Sequence, residues 1–313
     1  MSKIFIFIPV YNASAYVVEA IESVIHQTYT DWELLVLDDQ STDNSFELCK
    51  AFEKKYPRIT VTRNDRNLGM VGNWNEGVSK CKSEFFIKLD ADDKWLPTML
   101  EKSIVIMEKY REVAIVFSKY INIDSKSNPV EGSEITLPEF AKNKSFSCVP
   151  LVEMGSDEML QYSILRQGLS LIRNSVFNEV GSYRYLITRE TEAASDTEFY
   201  FRVGCNHEIY CIDEVLYQYR VHEESISAID VANGLSQKKM LEIKSVINDY
   251  YLQQEKITIK QWKKNKKATD FNHLLNLNYR ARVNKRYSSV INTFIRLFVF
   301  YPDNFFLHLK NKI

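Results

Sequence analysis

The stretch FIKLDADDKWLP, residues 86 to 97, ends an apolar run on three acids within four positions, Asp90, Asp92 and Asp93, with Trp95 and Pro97 directly behind. Carboxylates crowded in this way raise one another's energy unless a cation or hydrogen-bond donors compensate. Short acidic clusters also serve as solvated turns and helix caps, so the surroundings must decide. Three further places carry chemistry-bearing types. Asp38 and Asp39 close the run WELLVLDD. Asp196 and Glu198 stand at the start of SDTEFYFRVG. His222 lies in YRVHEESIS and is the one histidine of five that sits in such a cluster.

The elements that must position these groups alternate over the first 120 residues. KIFIFIPV, WELLVLDD, RITVTRN, EFFIKLD and VAIVFSKYINI have the length and apolar continuity of buried strands. Between them, SAYVVEAIESVIHQT (with Ser14 as a candidate cap), STDNSFELCKAFEKKY, GMVGNWNEGVSKC and WLPTMLEKSIVIMEKY have helical periodicity. Buried strands separated by helices imply a parallel sheet with right-handed crossovers. Ligands of such sheets bind beyond the carboxyl ends of the strands. The polar clusters PVYN, DDQSTD, NDRNLG and DADD fall there. Residues 124–160 form a polar insertion expected to be a long loop or lid. Later come SILRQGLSLIRNSVFNEVG, a helix at SDTEFYFRVG, and two strands at HEIYCI and VLYQYRV.

Composition excludes several classes. The 313 residues are 45% apolar and 26% charged, ordinary for a globular protein with a sizeable core. The net charge of −1 conceals an asymmetry: from Ser236 onward there are 16 Lys/Arg against 5 Asp/Glu. An acidic body with a basic tail argues against nucleic acid as the ligand of the body, and permits a tail resting on an anionic surface. Five cysteines without CxxC spacing suit reduced thiols in a cytoplasmic protein. The start, MSKIFIFIPVYN, turns polar too soon for a signal peptide, and no run of 18 apolar residues suggests a transmembrane helix.

The motifs IPVYN, LDDQSTDNS, NLG, LDADD, SDTEF and YRVHEESIS, in this order over roughly residues 3–227, resemble the inverting family 2 glycosyltransferases of GT-A fold. The resemblance implies an α/β catalytic domain over 1–232, with a mostly parallel central sheet flanked by helices, followed by a basic helical region over 233–313. It implies a nucleoside-diphosphate sugar donor, UDP or dTDP more than GDP. Asp39 would accept a hydrogen bond from the base, with Pro9, Tyr11 and Asn12 lining the same pocket. Arg63 or Arg66, Asn67 and Gly69 would stand on the ribose and phosphate side. Asp90 or Asp92 would face the ribose, and Asp92, Asp93 and His222 would hold Mn²⁺ or Mg²⁺. Such a cation would offset charge building on the departing diphosphate. Arg220 and Ser225 would assist there. Asp196 would be the general base that takes the acceptor hydroxyl's proton, with Glu198 the fallback. One departure stands out: Trp74 precedes Asn75 where many relatives carry Arg.

In the tail, KKNKKATDFNHLLNLNYRARVNKR precedes the aromatic, amphipathic YSSVINTFIRLFVFYPDNFFLHLKNKI. This suits either a peripheral contact with the cytoplasmic face of a membrane or packing on protein, including a second subunit. The acceptor would be a glycan or lipid-linked glycan in bacterial surface polysaccharide or lipopolysaccharide assembly. The rival readings are a nucleotidyltransferase, which would want a Gly-rich basic loop where the chain has IPVYNASAY, and an idle sugar-nucleotide-binding scaffold.

Overall fold

The computed structural model describes residues 2–154, 170–185, 195–233, 236–283, 285 and 287–301. Part of the SILRQGLSLIRNSVFNEVG segment and the chain beyond residue 301 lie outside them.

The first half alternates strand and helix: β1 (Ile4–Val10), α1 (Val17–Ile25), β2 (Trp32–Asp38), α2 (Ser45–Lys55), β3 (Ile59–Arg63), α3 (Gly69–Lys80) and β4 (Phe85–Lys88). β1 pairs in parallel with both β2 and β4, and β2 pairs in parallel with β3. β3, at the sheet edge, alternates buried and exposed, whereas the side chains of β1, β2 and β4 are almost wholly buried on both faces. That explains why the sequence shows continuous apolar runs there, not alternation. Gly77 lets α3 lie close on β1, since a Cβ there would come 2.5 Å from the Phe7 ring. Ser14 does not cap α1; its backbone N–H donates to Asp43 Oδ2 at 3.0 Å.

The chain continues through β5 (Lys94–Trp95), α4 (Met99–Lys109), β6 (Val113–Ile123), β7 (Lys144–Phe146), α5 (Val149–Met154), β8 (Leu171–Arg173), α6 (Ser175–Val180), α7 (Ser195–Gly204) and β9 (Glu208–Arg220). The sheet order is β3-β2-β1-β4-β8-β6-β9-β5, with β7 on β9. β8 runs antiparallel between β4 and β6, so the sheet is parallel through β1–β4 and mixed beyond. The two strands expected at HEIYCI and VLYQYRV are one, β9. It passes Asp213 and Glu214 by register shifts against β6 at Ser118 and Lys119. The 124–160 insertion is not wholly irregular, since it contains β7 and α5. All five cysteines remain thiols.

After α8 (Ile226–Ala232), three helices follow: α9 (Ser236–Gln253), α10 (Ile259–Val283) and α11 (Tyr287–Phe300). Two compact units result. One comprises Met1–Cys148 and Tyr162–Ser236, the other Val149–Gln161 and Gln237–Ile313. The second unit thus recruits α5 to the C-terminal helices: Asn265 Nδ2 donates to Val152 O at 2.8 Å. Within it, α10 and α11 pack through Phe271, Leu274 and Leu297. Among the described residues, no helix is long and apolar enough to cross a membrane.

Candidate active site

Parallel pairing brings the carboxyl ends of β1, β2 and β4 to one edge. Val10 lies opposite Asp38, and Asp39 N–H donates to Val10 O at 2.8 Å. Both acids of the pair are buried and differ in use. Asp38 Oδ2 accepts from Arg63 Nε at 2.6 Å and from Ser41 N–H at 3.1 Å, which makes it a brace for the turn after β2. Asp39 Oδ1 accepts from Asn64 Nδ2 at 2.7 Å and from Leu68 N–H at 2.9 Å. Its Oδ2 has a single 3.1 Å contact, with the same Leu68 N–H, and so keeps acceptor capacity.

Asp39 also organises the loop before α3. Asn67 Nδ2 donates to its carbonyl at 2.9 Å, and Asn67 Oδ1 accepts from Gly69 N–H at 3.0 Å. Gly69 has φ +76°, a left-handed value that a side chain would strain. Pro9 is the penultimate residue of β1, and Tyr11 follows the strand, 54% exposed. Asn12, at φ +50°, accepts from Thr42 N–H at 2.8 Å. Arg63, expected on the nucleotide, is committed to Asp38 and to the Phe46 ring, 4.1 Å from its centroid.

The acidic cluster opens just after β4. Leu89 N–H donates to Phe7 O, and Asp93 N–H to Asp90 O, folding residues 90–93 into a turn. β5 then pairs with β9, Trp95 against Tyr217. The turn sends the three acids in different directions. Asp90 pairs with Lys88. Asp92 Oδ2 lies 3.1 Å from His222 Nε2. Asp93 turns inward, accepting from the Tyr217 hydroxyl and from Arg220 N–H, the latter at 2.6 Å. Burial, followed by the charges of Asp92 and Asp90, pushes Asp93 well above the usual carboxylate range. Asp93 is one of the residues expected to hold metal; in this structure its carboxylate ties the turn to β9.

Arg220, expected to assist at the diphosphate, is buried and donates to Asp92 O at 2.6 Å, Asp124 O at 3.1 Å and Ser127 Oγ at 2.9 Å, with Glu19 3.4 Å away. In these contacts it braces the acidic turn against the segment after β6. Ser225 Oγ accepts from Ala228 N–H at the start of α8. His222 leans on the Tyr16 ring, and its Nδ1 is buried without a protein partner.

Asp196 opens α7 and is 7% exposed. Burial raises its pKa to about 7, against the opposing influence of the Lys88 charge and of the 2.6 Å hydrogen bond from Thr197 N–H; the Asp90 charge adds to the rise. Glu198, the fallback, is bound by Arg202 Nε and Nη2 at 2.8 and 3.0 Å. It is not available as a base. The residue that sequence reasoning missed is Lys88. A buried lysine is rare, and its place in the strand FFIK was the signal. Trp74, at the departure noted above, covers its ammonium.

Comparison with known proteins fixes the family. A family model described as glycosyl transferase family 2 matches residues 5–177. The chain belongs to this family. An uncharacterised glycosyltransferase of Haemophilus influenzae is 29% identical over 254 residues, 80% of this chain and 74% of that one. An Escherichia coli protein named UDP-Glc:alpha-D-GlcNAc-diphosphoundecaprenol beta-1,3-glucosyltransferase is 33% identical over 150 residues, 47% of this chain and 58% of that one. Among solved structures, S. aureus TarS 1–349 in complex with UDP superposes with a TM-score of 0.57 at 17% identity, over 79% of this chain and 65% of that one. A Pyrobaculum calidifontis mannosyltransferase in complex with GDP-Man and Mn²⁺ superposes at 0.55 and 13% identity, over 96% and 81%. The family 2 glycosyltransferase therefore has the GT-A fold with a C-terminal helical region. Its membership removes the nucleotidyltransferase and idle-scaffold readings.

Proposed function

We propose that this family 2 glycosyltransferase is metal-dependent and inverting. In this reading it moves a sugar from a nucleoside-diphosphate donor, with a pyrimidine base favoured, to a hydroxyl of a glycan or lipid-linked glycan during bacterial surface polysaccharide synthesis. The observation that carries the reading is Asp196, a carboxylate 7% exposed in the first turn of α7, whose pKa burial raises to about 7 against the opposing charge of Lys88, with Asp90 adding to the rise. A general base works best with a pKa near the working pH.

As the acceptor oxygen attacks the anomeric carbon, its proton passes to the Asp196 carboxylate. The bond to the diphosphate oxygen breaks on the opposite face, which inverts the centre. Asp39 Oδ2 takes the N3–H of the pyrimidine, with Pro9, Tyr11 and Asn12 beside the base and Asn67 and Gly69 shaping the ribose side. Asp90 faces the ribose. The pairing of a carboxylate oxygen and an imidazole nitrogen at Asp92 and His222 would suit Mn²⁺ better than Mg²⁺, which would rely on the Asp92 oxygen. Among the described residues there is no group of three His, Cys, Asp or Glu that would hold a metal alone. A cation between these two would thus draw its other ligands from diphosphate and water, as hard divalent ions do. When bound, it supplies neutralisation of the diphosphate charge.

The C-terminal helices suit contact with the cytoplasmic face of a membrane. α11 exposes Ile291, Ile295, Val299 and Phe300, and α10 exposes Lys260, Lys263, Lys264 and Lys266. An exposed apolar strip on one helix and exposed lysines on the other fit an anionic bilayer. The E. coli relative named for a diphosphoundecaprenol substrate is consistent with a lipid-linked acceptor.

The test is release of nucleoside diphosphate from UDP-glucose, UDP-N-acetylglucosamine, dTDP-glucose and GDP-mannose, with Mn²⁺ and with EDTA. We expect turnover of a pyrimidine donor with Mn²⁺ alone, and donor binding without transfer in Asp196→Asn. Turnover in EDTA, or an active Asp196→Asn, would overturn the reading.

A further inference from the structure

The His222 imidazole reaches the acidic turn through one polar contact, Nε2 to Asp92 Oδ2 at 3.1 Å. A single contact of this kind leaves the ring free to pivot about it. Metal-binding histidines are usually held at their second nitrogen by a carboxylate or a carbonyl, which fixes the ring plane. Among the described residues nothing takes that place, for Nδ1 is buried without a protein partner. What meets the imidazole instead is the Tyr16 ring, 4.9 Å away between centroids and tilted by 52°.

Tyr16 has a fixed seat. Its N–H donates to Ala13 O at 2.9 Å, and its carbonyl accepts from Ala20 N–H at 3.2 Å as α1 begins. The loop before it is pinned to the turn ahead of α2: Ala13 N–H donates to Ser45 Oγ at 2.8 Å, and Ser14 N–H to Asp43 Oδ2 at 3.0 Å. The same ring takes the buried Arg220 guanidinium, 4.6 Å from its centroid, and an aromatic face attracts a desolvated cation more strongly than a solvated one. Glu19, one turn along α1, places its carboxylate 3.4 Å from Arg220 Nη2. The start of α1 thus grips both side chains by which the end of β9 returns to the acidic turn.

We propose that Tyr16 is a positioning residue for the cation, a ring that sets the plane of the His222 imidazole and keeps Nε2 beside the Asp92 carboxylate. This rests on the reading of His222 and Asp92 as ligands. The ring carries the role, since both contacts are made by its face and neither needs the hydroxyl. A side chain without an aromatic face lets Nε2 swing away from Asp92, and the site loses its nitrogen while keeping its oxygen. Mn²⁺, which accepts imidazole, should feel that loss more than Mg²⁺, which prefers oxygen.

The test uses the full chain labelled with ¹⁵N-histidine, loaded with Mn²⁺ and UDP. Electron spin-echo modulation reads the histidine nitrogen at the ion, and titration of Mn²⁺ and of Mg²⁺ reads affinity without turnover. We expect the nitrogen coupling in wild type and in Tyr16→Phe, and its loss in Tyr16→Leu. Half-saturating Mn²⁺ should rise about tenfold or more in Tyr16→Leu, the scale on which the groups that orient a ligand act, and stay near wild type in Tyr16→Phe. Half-saturating Mg²⁺ should move less. Wild-type coupling and affinity in Tyr16→Leu overturn the proposal, and so does an equal shift for both metals, which would mark a general disturbance of the turn through Arg220. Should Tyr16→Leu fail to fold, Tyr16→Met retains more of the side-chain length without the ring, and the same readings decide. Absence of the coupling in wild type itself would remove His222 from the ligand set and Tyr16's role with it, so the two failures are told apart.

Discussion

His222 Nε2 stands 3.1 Å from Asp92 Oδ2, although 130 residues separate them, while its Nδ1 is buried without a protein partner. The β5–β9 pairing makes this meeting, since it carries the segment after β9 back over the acidic turn. We expect His222→Ala and Asp92→Asn to raise the Mn²⁺ concentration needed for half-maximal transfer at least as far as the ~10–100-fold that outer-shell changes cost. Titrating Mn²⁺ into EDTA-stripped protein measures it. A metal requirement indifferent to both substitutions would leave the pair without that role.

Asp93 sits one residue from Asp92 yet faces the other way, toward Tyr217 and Arg220. Asp93→Ala should therefore lower thermal stability, leaving a buried N–H donor unpaired at a cost of about 1–3 kcal/mol. At temperatures where the variant is folded, its half-saturating Mn²⁺ should stay near wild type. A changed metal affinity in a fully folded variant would return Asp93 to the ligand set.

The raised proton affinity of Asp196 has a definite sign. Its carboxyl holds a proton in the folded state up to about pH 7 but in the unfolded chain only up to 3.8, so stability falls as pH climbs between those values. Asp196→Asn, which cannot ionise, should gain stability over wild type through that window and keep the gain at pH 8. A shift of about three units corresponds to at most about 4 kcal/mol. Melting temperatures of both proteins at pH 4, 6 and 8 give the comparison, and a gain that shrinks with rising pH would contradict it. Transfer by wild type should fall off below about pH 7.

Glu198 and Arg202 form a buried ion pair on one face of α7, and Arg202 also donates to Gly181 O and Ser182 O at 3.0 and 2.8 Å. Removing one partner strands the other charge. Glu198→Ala should cost about 3–5 kcal/mol, read as a lowered urea midpoint. Residual folded Glu198→Gln should still transfer sugar, which Asp196→Asn should not.

Asp39→Ala removes the acceptor of Asn64 Nδ2 and Leu68 N–H as well as the candidate contact to the base. UDP affinity by calorimetry should drop about tenfold or more, in line with a lost charged hydrogen bond of about 1.5–3 kcal/mol. UDP binding at wild-type strength would exclude Asp39 from the base pocket.

Much of the fold could be read directly from the chain. Strands buried on both faces leave no alternation to confuse, and β1, β2, β4 and β6 announce themselves as apolar runs. β9 did not, because Asp213 and Glu214 look like a turn while the strand absorbs them through register shifts against β6. The acidic motif was legible as a cluster, but a tight turn rotates each successive side chain, so no spacing rule separates Asp92 from Asp93. Arg220 is a long cation whose partners, Asp92 and Asp124, lie far back along the chain, and its commitments exist only after β5 and β9 have come together.

Arg220 grips the carbonyls of Asp92 and Asp124 together, so the insertion beyond β6 begins from a fixed mooring at the catalytic turn. Anyone grafting another acceptor-facing segment onto this scaffold inherits that mooring. A graft that starts after Ser127 leaves the turn undisturbed, whereas one that replaces Asp124 to Ser127 cuts the rope that holds Asp92 in place.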